Sequence, residues 1–458
     1  MTRRAWIASG AAAALVAEAG VAASAQQPAA PLDLGSIAAG RLDGVPGLGI
    51  AIGTIEGGKT EMIVRGESDG SHKLDRDTVF EIGSVTKTFT ATVLAEMVQA
   101  HEVALDDPIE KYLPSGSKAP AWSDQHITLL DLATQTSGLP TLPSNMTPRN
   151  PTDPYADYTP AKLYEFLASY ALTQAPGTKY EYSNLGFGLL GQLLANRAGI
   201  SYDALVRKRV AQPLGMNATG GVASDIVLAH LAPGHDTDGE REHAWSFDAL
   251  AGAGSLRSSL ADMLKYLSAN MSGNGPGAAA MRVAQTPQRD AGTERIGLAW
   301  MTRLPSKTVW HNGSTYGYAS FIGFSDDRTR GIVILANAFM TIDDIGFHWL
   351  DPSFPLVRSY HAIAIDPKLV NRYEGHYALD FSRINPNAPP AVLVVLVDDG
   401  KLYAKLGTQP AFRIYPYRPN EFFYRIVDAQ LTFTLDSTGK VTGLVLHQNG
   451  LDIPAKRG

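Results

Sequence analysis

A serine and a lysine three residues apart, placed where a chain enters a helix, can form an activated nucleophile. Phe80-Glu81-Ile82-Gly83-Ser84-Val85-Thr86-Lys87 offers such a pair. Ser84 opens the long apolar run Ser84 to His101, in which Val85, Phe89, Val93, Leu94 and Met97 recur at helical spacing. Positions i and i+3 share a helix face, roughly 5–6 Å apart at Cβ, so an amine would stand one turn above the hydroxyl and could activate it. The amides and positive dipole end at the helix start can also hold an oxyanion. The S-x-x-K spacing occurs twice more, at Ser115-Gly116-Ser117-Lys118 and Ser437-Thr438-Gly439-Lys440. Both lie in turn-rich stretches and read as surface loops.

Two further groups could serve the same nucleophile. Tyr182-Ser183-Asn184 precedes an apolar helix containing Leu185, Phe187, Leu189 and Leu190. A phenol there could exchange a proton with Ser84 or a leaving group, and the Asn184 amide could hold a substrate amide. Taken alone, Tyr182 reads as core and Asn184 as a helix N-cap. His311-Asn312-Gly313-Ser314 closes the apolar run Thr308-Val309-Trp310. Gly313 would let substrate approach the backbone, and the Ser314 N–H could complete an oxyanion hole. Taken alone, His311 reads as a satisfied histidine.

The elements that must position these groups are legible from periodicity. Leu48 to Ile55 and Thr60 to Arg65 predict a hairpin across Glu56-Gly57-Gly58-Lys59. Within it, Gly53 to Thr60 fits the phosphate-loop pattern, but a strand rather than a helix follows, which argues against that function. Gly66-Glu67-Ser68-Asp69-Gly70 fits the nucleophile-elbow pattern, yet no helix follows it either. Helices are expected over Ile127–Thr136 with a Thr128/Asp131 capping box, from Thr159-Pro160, and near Leu185–Asn196, Tyr202–Ala211 and Ser259–Asn270. Gly138 to Tyr158 is too long for an ordinary connection and is expected to border the substrate, with Asn145 and Tyr155 as contacts. Strands return at Gly297–Trp300, Thr308–Trp310, Tyr318–Phe324 and Gly331–Ala336. A hairpin at one end and a meander at the other bracket a helical middle. That order predicts an α/β (α+β) fold, one antiparallel sheet flanked by helices with a helical insert. Residues 371–458 read as seven strands separated by turns such as Asp399-Gly400 and Pro419-Asn420, a small all-β, barrel-like domain. The expected organisation is a signal peptide over 1–25, a hydrolase domain over 26–362 and the β domain over 363–458.

In this order, S-x-x-K, Y-x-N and H-x-G resemble the motifs of the penicillin-recognising serine hydrolases: class C β-lactamases, D-alanyl-D-alanine peptidases and related carboxylesterases. The resemblance covers roughly residues 40–345 and extends to Leu132-Ala133-Thr134-Gln135-Thr136-Ser137-Gly138-Leu139-Pro140 and Gly317-Tyr318. It implies Ser84 as nucleophile, Lys87 as its base, Tyr182 as proton shuttle and Asn184 as amide ligand. The Ser84 and Ser314 N–H groups would form the oxyanion hole, and His311 would stand where lactamases carry the lysine of K-T-G. The implied activity is hydrolysis of an amide or β-lactam through a Ser84 acyl-enzyme. Alternatives are a carboxylesterase on the same scaffold, or a penicillin-binding sensor that acylates without turnover. Thr86, where the class C signature usually has Ser or Ala, is a minor departure, and His311-Asn312 in place of Lys-Thr is the larger one. An unperturbed imidazole is only about a quarter protonated at pH 7, which would leave a weak, pH-dependent anchor for a substrate carboxylate. Which of Lys87 and Tyr182 is the base stays open, because the pair would titrate as a unit.

Composition narrows the rest. The 458 residues carry a formal net charge of −6 without a long basic run, which argues against a nucleic-acid partner. Absence of cysteine removes disulfides and thiolate chemistry. Arg3 and Arg4, an apolar run and Ala23-Ser24-Ala25 read as an export signal that resembles the twin-arginine type and implies a periplasmic protein. No later segment is apolar enough to span a membrane. The acidic stretch His235 to His243 has no fixed metal-ligand spacing and reads as a solvated loop. No cofactor or metal is implied. The expected partner is a small-molecule or cell-wall peptide substrate, and the expected state a monomer.

Overall fold

The computed structural model describes residues 32–68, 73–221, 225–381, 391–407 and 409–458. The segment over 1–25, expected to be an export signal, lies outside them, as do residues 69 and 70 of the Gly66–Gly70 pattern. The chain divides into two compact units, Val45–Leu356 and a second that joins residues 32–44 to Val357–Gly458.

The first unit is built on an eight-stranded sheet: β1 (Gly49–Glu56), β2 (Lys59–Gly66), β3 (Arg289–Ala291), β4 (Glu294–Ile296), β5 (Met301–Arg303), β6 (Thr308–Ser314), β7 (Ala319–Phe324) and β8 (Arg330–Ala336). The order is β2-β1-β8-β7-β6-β5-β4-β3, so the first hairpin joins the last strand, as the sequence predicts. All neighbours run antiparallel. β1 is buried along almost its whole length, while β2 is the exposed edge. Gly57 and Gly58, both at positive φ (56° and 82°), make the tight turn between them, and no phosphate-binding helix follows.

Helices cover this sheet and fill the middle of the unit. Gly83–Val85 forms a single 3₁₀ turn that runs straight into α1 (Thr86–Gln99), buried on nearly all sides. α2 (Asn184–Ala198) begins at Ser183, whose hydroxyl accepts from Gly186 N, and ends at Gly199 in the left-handed region. Ser183, not Asn184, is therefore the N-cap, which frees the Asn184 side chain. α2 passes very close to the short helical turn Ala251–Gly254: a Cβ on Gly191 would sit 2.7 Å from Gly252 Cα. This contact brings Asn184 and Ala253 to the same end of α1. Thr128 and Asp131 form the predicted capping box, and Ser259 caps α3 (Leu260–Ser272).

Three expectations change. Gly297–Trp300 is a turn between β4 and β5, with Ala299 at φ 67°, because its apolar side chains are buried by a loop rather than by a strand. Helices Ala278–Gln285 and Asp343–Leu350 were not evident; both are short, and the first is alanine-rich with no side-chain cap. The His235–His243 stretch is a short hairpin in which His235 is buried, and no metal-ligating cluster occurs among the described residues.

The second unit contains nine antiparallel strands: β9 (Gly375–Leu379), β10 (Ala391–Asp398), β11 (Lys401–Leu406), β12 (Phe412–Arg413), β13 (Tyr415–Arg418), β14 (Glu421–Phe423), β15 (Ala429–Leu435), β16 (Val441–Gln448) and β17 (Leu451–Arg457). Their order is β12-β11-β10-β9-β17-β16-β15-β14-β13. The two edge strands are consecutive in the chain around Ile414, so the sheet is nearly closed, the barrel-like form expected. β17 is an addition; Pro454 in its middle obscures its strand pattern, and the ring is accommodated at an exposed position. The helix Leu34–Leu42, capped by Asp33, belongs to this unit. Asp43 after it is tied to Arg425 (2.6 Å) and His361 (2.6 Å).

Candidate active site

The site gathers at the first turn of α1. Lys87 is fully buried one helical turn above Ser84, and its Nζ lies 2.9 Å from Ser84 Oγ. The same Nζ donates to Asn184 Oδ1 at 2.7 Å and to the Ala253 carbonyl at 2.8 Å. Neither of these oxygens can donate, so they fix two of the amine's N–H groups. The third direction faces Ser84. Burial holds the Lys87 pKa well below that of an ordinary lysine. In the neutral amine, that third direction is a lone pair able to take the Ser84 proton.

Tyr182 stands on the other side of the nucleophile, its hydroxyl 2.7 Å from Ser84 Oγ. Burial pushes the phenol far above its usual range, outweighing the hydrogen bond to Ser84. Tyr182 is therefore a protonated donor in the resting site. The two candidate bases separate: burial shifts the amine towards its neutral form and keeps the phenol protonated.

The oxyanion geometry follows from strand register. Thr315 N donates to Tyr318 O, so residues 315 and 318 are a hydrogen-bonded pair beside the β6–β7 ladder. Hydrogen-bonded and non-bonded pairs alternate, which makes Ser314↔Ala319 a non-bonded pair. The Ser314 N–H thus points away from β7, towards the 3₁₀ turn. A Cβ on Gly83 would lie 2.7 Å from Ser314 N, and one on Gly313 would lie 2.8 Å from Ser84 N. Only two glycines allow β6 and the nucleophile turn to approach so closely, and Gly83 also needs its positive φ of 47°. Two backbone amides, of Ser84 and Ser314, consequently flank the same space.

A sequence model of the Beta-lactamase family matches residues 38–348. The chain belongs to the beta-lactamase family. It is 31% identical over 223 residues to the D-alanyl-D-alanine-carboxypeptidase/endopeptidase AmpH of Escherichia coli, covering 48% of this chain and 56% of that protein. The chain thus spans little more than half the length of that relative. It is 27% identical over 329 residues to a beta-lactamase of Pseudomonas fluorescens, covering 63% of this chain and 88% of that one. Among solved structures, a beta-lactamase/D-alanine carboxypeptidase from Yersinia pestis superposes with a TM-score of 0.58 at 24% identity, over 66% of this chain and 91% of that chain. The D-alanine carboxypeptidase AmpC of Burkholderia cenocepacia gives 0.55 at 26% identity, over 64% and 90%. The chain therefore has the mixed α/β fold of this family.

The remaining expected site residues divide. Tyr155 lines the cleft at Ser84 together with Asn184, Tyr182 and Ser314. Asn145 does not; it accepts from the Tyr158 hydroxyl and donates to Lys162 O, both at 2.9 Å, and so braces its own loop. Gly313 acts by close packing beneath the cleft rather than by lining it. His311 is 5% exposed and lies behind the lining. Its Nδ1 is 2.6 Å from the Asn312 carbonyl, which can only accept, so Nδ1 carries the proton. Burial, with Lys87 nearby, lowers its pKa to about 3. The expected quarter-charged anchor is accordingly a neutral imidazole.

Several wall residues carried no readable signal. Trp245, Phe247, Tyr316 and Phe339 line the cleft from loops. The spacing of Trp245 and Phe247, two apart in a polar stretch, was the one available hint. Behind them, Glu81 and Arg257 form an ion pair at 2.9 Å with 3% of each side chain exposed. Glu81 Oε1 also accepts from Trp245 N at 2.8 Å, and Arg257 donates to Trp245 O at 2.9 Å.

Proposed function

We propose that this chain hydrolyses an amide or β-lactam bond through an acyl-enzyme on Ser84. The observation that carries the reading is the Lys87 amine: 2.9 Å from Ser84 Oγ, with its other two directions taken by carbonyl oxygens. Lys87 takes the Ser84 proton as Oγ bonds to the substrate carbonyl carbon. The carbonyl oxygen becomes an oxyanion facing the Ser84 and Ser314 N–H groups, where fixed dipoles require no reorganisation. Tyr182 gives its proton to the leaving group as the C–N bond breaks, and Lys87 returns a proton to the phenolate. Water then attacks the acyl carbon, its proton passing to the same machinery, and Ser84 leaves as the alcohol. Asn184 has one amide N–H beyond its long, 3.4 Å contact to the Tyr155 hydroxyl, and this N–H suits a substrate amide oxygen.

His311 favours a second reading. A neutral group where a lactamase resemblance implies a lysine offers no charge to a substrate carboxylate, which suits a carboxylesterase better than a lactamase or carboxypeptidase. The segment over 1–25 fits export to the periplasm. Nitrocefin, a D-Ala-D-Ala peptide and a short p-nitrophenyl ester, each assayed with Ser84→Ala as control, separate the readings. Turnover of the first two supports the amide reading, and turnover of the ester alone supports the second. A wild-type protein that neither turns over any of the three nor shows an acyl adduct by mass spectrometry removes both.

A further inference from the structure

We propose that the cleft beside Ser84 holds an uncharged aromatic group attached next to the scissile carbonyl; this rests on acyl transfer at Ser84. Of the 13 residues lining the cleft, six are aromatic and none carries a formal charge. The rings support one another. Tyr155 stacks on Phe247 with centroids 4.7 Å apart and planes 16° apart, and Tyr316 meets Trp245 edge-on at 4.7 Å. Tyr155 and Trp245 are 5.2 Å apart. The rest of the lining includes the small residues Gly83, Ala253, Gly254 and Ser314, and a Cβ on Gly254 would lie 3.1 Å from Phe247 Cζ. A pocket lined by rings and small residues, with no charge, is a slot that suits a flat apolar group.

The wall is also fixed. The Trp245 backbone is held at both N and O by the buried Glu81–Arg257 pair, and its indole packs against Tyr155 and Tyr316. A pre-formed slot spares the ordering cost that a mobile wall would exact. Charge selects in the same direction. A carboxylate entering here would lose its water without meeting a cation, because the Glu81–Arg257 pair is mutually neutralised and His311 is uncharged.

Four esters of similar intrinsic reactivity test this in a pH-stat: ethyl acetate, ethyl phenylacetate, benzyl acetate and monoethyl succinate. The two aryl esters distinguish a slot for the acyl side from one for the leaving group. We expect one of them to exceed ethyl acetate in kcat/KM by about tenfold or more, with monoethyl succinate the poorest. In Trp245→Ala, and in the milder Phe247→Leu should the first not fold, the aryl-to-ethyl-acetate ratio falls towards one. Turnover with a ratio near one in the wild type, or with monoethyl succinate preferred, overturns the aromatic slot and leaves acyl transfer standing. No turnover of any ester above the Ser84→Ala background overturns the slot proposal; nitrocefin turnover or a Ser84 acyl adduct in the same preparation leaves acyl transfer standing, and the lack of both overturns it as well.

Discussion

Ser84–Lys87 and Ser437–Lys440 have the same spacing and opposite surroundings. Lys87 is fully buried against three oxygen atoms and Ser84 Oγ has two polar neighbours, at 2.9 and 2.7 Å. Ser437 and Lys440 lie in the exposed turn between β15 and β16. There Asp436 accepts from Thr438 N and Lys440 N, and Gly439 takes a φ of 83°. In the turn these residues satisfy backbone donors and close a hairpin. At α1 the same types are removed from water, and removal from water is what shifts a lysine towards a base. Spacing supplies the geometry of the pair; desolvation supplies its reactivity.

Disabling each pair in turn is the most direct way to break this contrast. Ser84→Ala is expected to lower turnover by ~10³-fold or more and to abolish the acyl adduct. Ser437→Ala should leave both unchanged. Initial rates with a reactive ester and intact-protein mass spectrometry check both; an adduct surviving in Ser84→Ala would end the assignment.

Lys87→Gln comes next, with kcat expected to fall by ~10²–10⁴-fold. The wild type should show an acidic limb in its kcat/KM profile far below an ordinary lysine pKa of about 10.4. The sign follows from the mechanism: a folded pKa lowered by burial leaves the amine neutral, and so competent, above that lowered value. Activity therefore rises with pH through the limb, and the limb should vanish in Lys87→Gln. Lys440→Gln should leave the profile unchanged.

Tyr182→Phe sharpens the division of labour. If the phenol acts as a donor, its loss matters most when the leaving group needs a proton. The expected loss is ~10²-fold for an alkyl ester or amide and far smaller for a p-nitrophenyl ester, whose leaving group departs as an anion. Equal losses on both would return Tyr182 to the role of base.

How much of this was readable in the sequence follows the same division. Ser84 and Lys87 open a helix with clear periodicity and Tyr182 stands beside the capped start of α2, so local pattern marks each of them. Asn184 was visible, but its partner was not: Ala253 reaches Lys87 only because Gly191 lets α2 lie against Gly252. The single antiparallel sheet was legible because its strands are short apolar runs set off by turn residues at both ends of a helical middle, whereas Gly297–Trp300 misled because burial by a loop looks the same as burial in a strand. The aromatic wall and the Glu81–Arg257 pair were illegible, since loops far apart in sequence meet there. Asn145 failed for the converse reason: a polar residue in a long loop can brace the loop itself.

The smallest effect concerns His311, where burial works against charge. His311→Lys places a cation in a position where burial lowers the pKa even of an imidazole, with the Lys87 amine nearby. Part of any new charge is therefore lost to desolvation. The gain for monoethyl succinate over ethyl acetate should be modest, about three- to tenfold in kcat/KM. It should appear at low pH first, because the introduced ammonium, like Lys87, has its pKa lowered by burial and loses its proton as pH rises. In the wild type the same ratio should stay flat from pH 5.5 to 8, since an imidazole with a pKa of about 3 has no charge to lose there. A wild-type ratio that climbs as pH falls towards 5.5 would show that His311 does become charged, and that burial at this strand governs reactivity less than it does at Lys87.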